Sequence, residues 1–229
     1  MLSVIIPVLE EAATVETALR ALAPLRARGV EIIVVDGGSH DDTAACAAPL
    51  ADRVVAGPRG RATQMNAGAA VARGDVLLFL HADTRLPPDA DRIVRDALAR
   101  TRRAWGRFDV TIEGRHPLLP VVAAAMNTRS RLTGITTGDQ AMFVTRAAFV
   151  ASGGFPAIAL MEDITFAGTL KRISRPISLR ARVTTSGRRW EARGVVRTIL
   201  LMWRLRLMYF FGATPDALAQ RYGYAPNDR

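Results

Sequence analysis

The sequence predicts an α/β fold with a mostly parallel central sheet, helices on both faces and further helices at the C-terminus. Three observations predict it. Four short apolar, β-rich runs fall within the first 80 residues, at 2–8, 31–35, 53–55 and 75–80. Stretches of helical character separate them, the β-α-β-α-β-α-β order of a doubly wound sheet with right-handed crossovers. The second and fourth runs are followed by Asp36 and Asp83, where open α/β sheets meet their ligands.

The first run, Leu2 to Val8, tolerates Pro7 because it lies at the strand's end. Glu10 and Glu11 suit the first turn of a helix over 12–28, whose Val15, Leu19, Leu22 and Leu25 recur at spacings of three and four, with Gly29 closing it. Glu31 to Val35 ends on Asp36-Gly37-Gly38-Ser39. Asp41-Asp42-Thr43 opens a short helix to Leu50, Arg53 to Val55 forms the third strand, and 57–61 is a loop. Ala62 to Val71 is a helix of small residues, able to approach a neighbour closely. Asp75 to Leu80 is the fourth strand, followed by His81-Ala82-Asp83 and stopped by Pro87-Pro88.

A helix is expected over 89–103, then a strand over 105–113, whose apolar members Trp105, Phe108, Val110 and Ile112 alternate with one irregularity. A helix over 118–132, a loop over 133–140, a strand over 141–144 and a turn at 153–156 follow. Glu162-Asp163 opens a helix to about Ile173, and Ile177 to Val183 is the last strand. Two helices, 194–211 and 215–222, complete the chain.

A chain of 229 residues, 49% hydrophobic and 23% charged, can bury a sizeable core. The single cysteine, Cys46, excludes an internal disulfide and a cysteine metal cluster. The chain runs directly into its first strand without a basic leader or long apolar stretch, so a cytoplasmic location is expected. The net charge is +10 and unevenly placed. Residues 1–170 balance 18 basic against 18 acidic side chains, whereas 171–229 hold 13 basic and 3 acidic. Such a segment attracts phosphates in nucleotides, anionic lipid or nucleic acid.

Several chemistries are excluded by missing motifs. No G-x-G-x-x-G follows the first strand, no G-x-x-x-x-G-K-[ST] loop occurs, and no G-x-S-x-G elbow is present. His40, His81 and His116 match no zinc spacing. What remains is a set of acidic residues at strand ends and a helix start. Each alone reads equally well as a cap or a turn.

Together they carry a resemblance. Val4-Ile5-Ile6-Pro7 followed by Glu10-Glu11, then Val34-Val35-Asp36-Gly37-Gly38-Ser39-x-Asp41, then His81-Ala82-Asp83, then Glu162-Asp163, resemble glycosyltransferase family 2 over about residues 2–190. Arg61-x-x-Gln64-Met65-Asn66-x-Gly68, Thr137-Gly138-Asp139-Gln140 and Ser186-Gly187-Arg188-Arg189-Trp190 are similar to a bacterial subgroup of small stand-alone members.

The resemblance implies a GT-A fold over 1–190, with a nucleotide-binding half at 1–85 and an acceptor-binding half at 86–190. It implies inverting transfer from a nucleotide sugar, usually a UDP-sugar, to a hydroxyl. Pro7, Val8, Glu10, Asp36, Arg61 and Ala82 would bind the nucleotide. Asp83 would hold a divalent metal, Mg²⁺ or Mn²⁺, with His81 standing where the family's D-x-D has its first carboxylate. Asp163, beside Glu162, would be the catalytic base. Asp139, Gln140, Arg188, Arg189 and Trp190 would contact acceptor or phosphate, the last three resembling a Q-x-x-R-W motif without its glutamine.

Physical chemistry supports that division of labour. A hard dication stabilises a diphosphate leaving group, and a positioned carboxylate must take the proton of a weakly nucleophilic hydroxyl. The competing reading is a non-catalytic nucleotide- or nucleic-acid-binding protein using its basic tail. The apolar density of 194–211, interrupted by Arg197, Arg204 and Arg206, suits burial or lipid better than a nucleic-acid groove, so nucleic acid is not an expected partner. With three arginines the segment does not read as a bilayer span. Within this basic, apolar appendage at 191–229, residues 194–211 are expected either to pack into the protein or across a dimer interface with a second copy, or to lie on a peripheral membrane surface at the inner membrane face. The acceptor hydroxyl could then be lipid-linked.

Overall fold

A computed structural model describes residues 1–223. Residues 224–229, the end of the expected appendage, lie outside the described residues. In chain order the elements are β1 (Leu2–Val8), α1 (Ala12–Ala27), β2 (Glu31–Asp36), α2 (Thr43–Ala47), β3 (Arg53–Ala56), α3 (Arg61–Val71), β4 (Val76–Phe79), β5 (Thr84–Arg85) and α4 (Ala90–Arg100). They continue with β6 (Trp105–Glu113), α5 (Leu119–Thr133), β7 (Phe143–Thr145), α6 (Arg146–Ala151), α7 (Glu162–Ile173), β8 (Ile177–Ser186), α8 (Arg188–Arg193), α9 (Val195–Phe210) and α10 (Pro215–Tyr222).

One eight-stranded sheet runs β3-β2-β1-β4-β7-β6-β8-β5. The pairs β3–β2, β2–β1, β1–β4 and β6–β8 are parallel; β4–β7, β7–β6 and β8–β5 are antiparallel. The period-2 alternation of the central strands divides the core. Val4, Ile6, Ile32, Val34 and Leu78 face one side, with Leu19 and Leu22 of α1. Ile5, Ile33, Val35, Leu77 and Phe79 face the other, with α3 and α7. The small-residue character of α3 has a visible cause. A Cβ on Gly68 would lie 2.4 Å from Ile5 Cγ2 and 2.9 Å from Val35 Cγ2, so only glycine lets this helix rest so close to the sheet.

The structure departs from the sequence expectations at several short elements. The last strand runs three residues beyond Val183, because Thr184 and Thr185 pair with β5, a two-residue strand too short to read from its pattern. That pairing also puts Thr84 and Arg85 at the far edge of the sheet, so the chain crosses the expected 85/86 boundary inside one sheet. The helix α6 follows β7 without a gap, capped by Thr145. Gly138–Gln140 form a turn of 3₁₀-helix within the expected loop. The irregularity in 105–113 is a change of face: Trp105 packs in the core on one side of the sheet and Phe108, Val110 and Ile112 on the other, while the register with β8 shifts between Arg107 and Asp109.

The expected appendage is joined to the fold. Leu205 of α9 and Leu218 and Ala219 of α10 form an apolar cluster with Leu160 and Met161, just ahead of α7. Thr165 of α7 and Tyr209 of α9 share a hydrogen bond at 2.6 Å.

Candidate active site

A cavity of about 750 Å³ opens at the carboxyl ends of β1 and β4, large enough for a nucleotide sugar. Its strand-end wall begins where β1 and β2 separate. There the Gln64 amide donates to the carbonyls of Val8 and Val35, each at 2.8 Å, the Val8 carbonyl also accepting from the Gly37 N–H at 3.0 Å, so that one side chain ties the two strand ends together. Gly37 leaves room for that amide, since a Cβ there would sit 3.0 Å from it. Pro7, Val8, Gln64 and Arg61 line this wall. Asn66 fixes the opposite side of α3, donating to the Phe155 carbonyl at 2.8 Å and accepting from its N–H at 2.9 Å. Phe155 stacks on Phe166 of α7 at 4.1 Å and meets Phe79 of β4 edge-on at 4.8 Å. Thus β4, which leads to Asp83, and α7, which carries Glu162 and Asp163, are braced by one aromatic cluster.

Beyond β4 the chain turns at 81–84, closed by the Thr84 N–H on the His81 carbonyl at 3.0 Å. His81, Ala82 and Asp83 all line the cavity. The His81 ring does not stand free as a ligand. Its Nδ1 lies 3.3 Å from Asp139 Oδ1, and its Nε2 edge is packed on Gly138, where a Cβ would come within 2.3 Å. Burial pushes the Asp139 carboxyl up, but the hydrogen bond and charge of His81, with Arg61 and Arg189, outweigh it and hold Asp139 below the usual carboxylate range.

Asp163 sits in the first turn of α7. Its Oδ2 accepts from the Gly138 N–H at 2.8 Å and its Oδ1 from the Ile164 N–H at 2.7 Å. Both oxygens are fixed, and the cavity reaches the side chain. Glu162 is almost fully buried and paired with Arg61 at 3.4 Å. Burial raises its pKa above 4.5 and the Asp163 charge adds to that, against the pull of Arg61. Met161, which leads into this pair, holds φ at 71°. Glu10 and Ala141, at φ 54° and 45°, are the other described non-glycine residues in that region, and both lie beside cavity segments. Such conformations cost about 1–3 kcal/mol each and mark places where the surrounding structure over-determines the backbone.

Sequence patterns do not reveal the helical wall. Thr198, Met202 and Arg206 of α9 and Ala219, Gln220 and Tyr222 of α10 complete the lining. Burial lowers the pKa of Arg206, opposed by the facing charges of Asp163 and Asp139. Burial also pushes the Arg129 guanidinium down to about 10, helped by Arg206 and Arg107 and opposed by Asp163. Arg189 and Arg193 hold Tyr222 between them, with guanidinium carbons 5.6 and 5.5 Å from its ring centre. In the sequence Arg206 is one of three arginines that interrupt an apolar helix, with nothing to set it apart from Arg197 and Arg204.

Of the residues expected at the site, Pro7, Val8, Arg61, Ala82, Asp83, Asp139, Glu162, Asp163, Arg189 and Trp190 line the cavity formed by the described residues. Four do not. Glu10 accepts from the His40 N–H at 2.9 Å, and Asp36 accepts from Ser39 Oγ at 2.5 Å, so both shape the loops behind the lining. Gln140 is wholly buried, donating to Asn127 Oδ1 at 3.3 Å and accepting from Thr136 at 3.2 Å, and thereby supports the 136–140 turn from below. Arg188 is exposed and turned back onto Ser186.

Comparison with known proteins bears on the family and the fold. The Glycosyl transferase family 2 profile matches residues 3–150. The uncharacterized protein MT1568 of Mycobacterium tuberculosis is 40% identical over 95 residues, 39% of this chain and 30% of its own. A PGL/p-HBAD biosynthesis glycosyltransferase of Mycobacterium bovis is 38% identical over 104 residues, 42% of this chain and 40% of its own. The matched segment therefore spans less than half the length of either relative. Among solved structures, S. aureus TarS 1–349 in complex with UDP-GlcNAc superimposes with a TM-score of 0.65 at 18% identity, over 81% of this chain and 58% of that one. Glucosyl-3-phosphoglycerate synthase of M. tuberculosis with Mn²⁺ and UDP-glucose gives 0.60 at 20% identity, over 81% and 70%. These likenesses establish the fold, and the profile establishes the lineage: the chain has the GT-A architecture and belongs to glycosyltransferase family 2.

Proposed function

We propose that this chain moves a sugar from a nucleotide diphosphate sugar, a UDP-sugar, to an acceptor hydroxyl in one inverting displacement. The observation that carries the reading is that Asp83, at a strand end, and Asp163, at a helix start, open into one cavity with Arg61, Arg189 and Arg206 in the same lining. The relatives solved with UDP-GlcNAc and UDP-glucose support the choice of donor.

In this reading Pro7, Val8 and the Gln64 region receive the nucleoside, and the arginines meet the diphosphate. The acceptor hydroxyl lies against Asp163. Its oxygen bonds to the anomeric carbon as the bond from that carbon to the phosphate oxygen breaks; its proton passes to Asp163, and the nucleoside diphosphate leaves. The Gly138 and Ile164 N–H groups keep the Asp163 carboxylate aimed while leaving lone pairs to take that proton. Glu162 orients Arg61. Thr198, Met202 and Arg206 form the acceptor side.

The residues fit a divalent cation of the Mg²⁺ or Mn²⁺ type held chiefly by its substrate. No cluster of three metal-ligating side chains occurs among the described residues, and His81 is engaged with Asp139 and Gly138. Asp83 would hold the ion, with diphosphate oxygens completing its shell. Bound there, it would neutralise the charge that develops on the leaving group. Glucosyl-3-phosphoglycerate synthase, solved with Mn²⁺, supports this assignment.

A thermal-shift screen of nucleotide sugars, with and without Mn²⁺, tests the reading, since a ligand that binds only the folded state raises its melting temperature. A UDP-sugar is expected to give the largest shift. Equal, negligible shifts for every nucleotide would reject it.

A further inference from the structure

We propose that the outer face of α9 is a docking surface for an anionic lipid bilayer, on which the helix lies in the membrane plane. The two long sides of α9 differ sharply. Val195, Thr198 and Leu205 are buried, and Thr198, Met202 and Arg206 line the cavity. Val196, Leu200, Trp203, Leu207, Phe210 and the following Phe211 are between 56% and 82% exposed. Their spacing places these six in one stripe, roughly 100° wide at 3.6 residues per turn. Scattered exposed apolar residues are ordinary, but a continuous stripe this rich in large side chains marks a binding surface.

Charge selects the occupant. Arg197 and Arg204 are exposed and border the stripe along one side. Neither has an ion-pair partner among the described residues, and α9 contains no acidic residue. A second copy packed antiparallel, stripe to stripe, would bring these arginine rows together, and in a parallel packing each row would still meet no acidic residue of the helix. Lipid phosphates would neutralise them while Trp203, Phe210 and Phe211 enter the interface. A span is excluded by length as well as charge. Sixteen residues of α9 reach about 24 Å, short of a hydrocarbon core of about 30 Å, and no described helix is long and apolar enough to cross a membrane. Because the opposite side of the same helix lines the cavity, docking would put the acceptor side about one helix diameter, roughly 10 Å, from lipid. A lipid-borne hydroxyl could then reach Asp163.

This inference stands independently of the transfer reaction. The test is flotation of the full chain with phosphatidylcholine vesicles, with and without phosphatidylglycerol, at low and high salt. The chain is expected to float only with phosphatidylglycerol, and less at high salt. Leu207→Glu is expected to weaken vesicle binding by about tenfold or more, from the apolar burial lost. The pair Arg197→Glu with Arg204→Glu, which leaves the stripe intact, should abolish the phosphatidylglycerol dependence. Both variants should keep the wild-type melting temperature, as these side chains face solvent. Recovery of the wild type wholly with the unbound fraction would overturn the proposal. So would undiminished flotation of the arginine pair variant, or a dimer in light scattering that Leu207→Glu dissociates in a chain that does not float.

Discussion

The strand-end wall and the helical wall of the cavity meet the same ligand space but are held by different means. Pro7, Val8, Gln64 and Asp83 are set by backbone: parallel strand register, two carbonyls closed by one amide, and a turn locked onto the His81 carbonyl. Arg206, Met202 and Tyr222 are set by side chains. Their helices rest on a small apolar cluster around Leu205 and Leu218, a hydroxyl pair between Thr165 and Tyr209, and two arginines around one tyrosine ring. In the proposed reading the first wall seats the nucleotide, the part common to many donors. The second can change by substitution without disturbing the sheet, which suits an acceptor side.

The largest effect is expected where the walls meet. Asp163→Asn keeps the size of the side chain, removes the proposed proton acceptor and gives up one of the two backbone N–H bonds that the carboxylate accepts from Gly138 and Ile164. With a donor identified by thermal shift, turnover measured as nucleotide release should fall about 10²–10⁴-fold, while nucleotide affinity stays within about twofold. Unchanged turnover would remove Asp163 from the chemistry and direct attention to Glu162.

Next comes the support of the helical wall. Leu218 is fully buried, and Leu218→Ala should destabilise the protein by about 2–5 kcal/mol in urea denaturation. A loss below about 1 kcal/mol would mean that α10 is held loosely and that the two walls differ even more than their contacts imply.

A smaller, pH-dependent effect separates the two carboxylates of α7. Glu162 has its folded pKa raised above 4.5, so the folded state holds that proton more tightly than the unfolded chain. Its favourable contribution is present below pH 4.5 and is lost as pH rises through the folded value. Glu162→Gln removes the titration. The stability of the variant relative to wild type should therefore increase from below pH 4.5 to neutral pH. A gap independent of pH would show that Arg61 fully compensates the buried charge.

The same contrast explains what can be read from sequence. The strand-end wall is legible because it follows local rules: an apolar run, an acidic residue after it, a small-residue helix. Even Gln64 and Asn66, which belong to one of the short motifs, prove to be backbone clamps. Gln140 and Arg188 show the limit of motif reading. They share short motifs with the cavity residues Asp139 and Arg189, yet one points into the core and the other back to Ser186. The helical wall is hidden because its residues converge only after α9 and α10 fold back over α7, and a basic, apolar segment signals burial, lipid and ligand contact alike. Its buried and exposed faces fall on opposite sides of one helix, which hydrophobicity alone does not divide.

If the strand-end wall binds nucleoside diphosphate through a cation held at Asp83, UDP affinity depends on both the metal and that carboxylate. Calorimetric titration of UDP into wild type and Asp83→Ala, each with and without Mn²⁺, tests it most directly, without knowledge of the sugar or the acceptor. Mn²⁺ is expected to strengthen UDP binding in the wild type and to have no effect in Asp83→Ala. Equal UDP affinity in the wild type with and without Mn²⁺, or an undiminished Mn²⁺ effect in the variant, would contradict it.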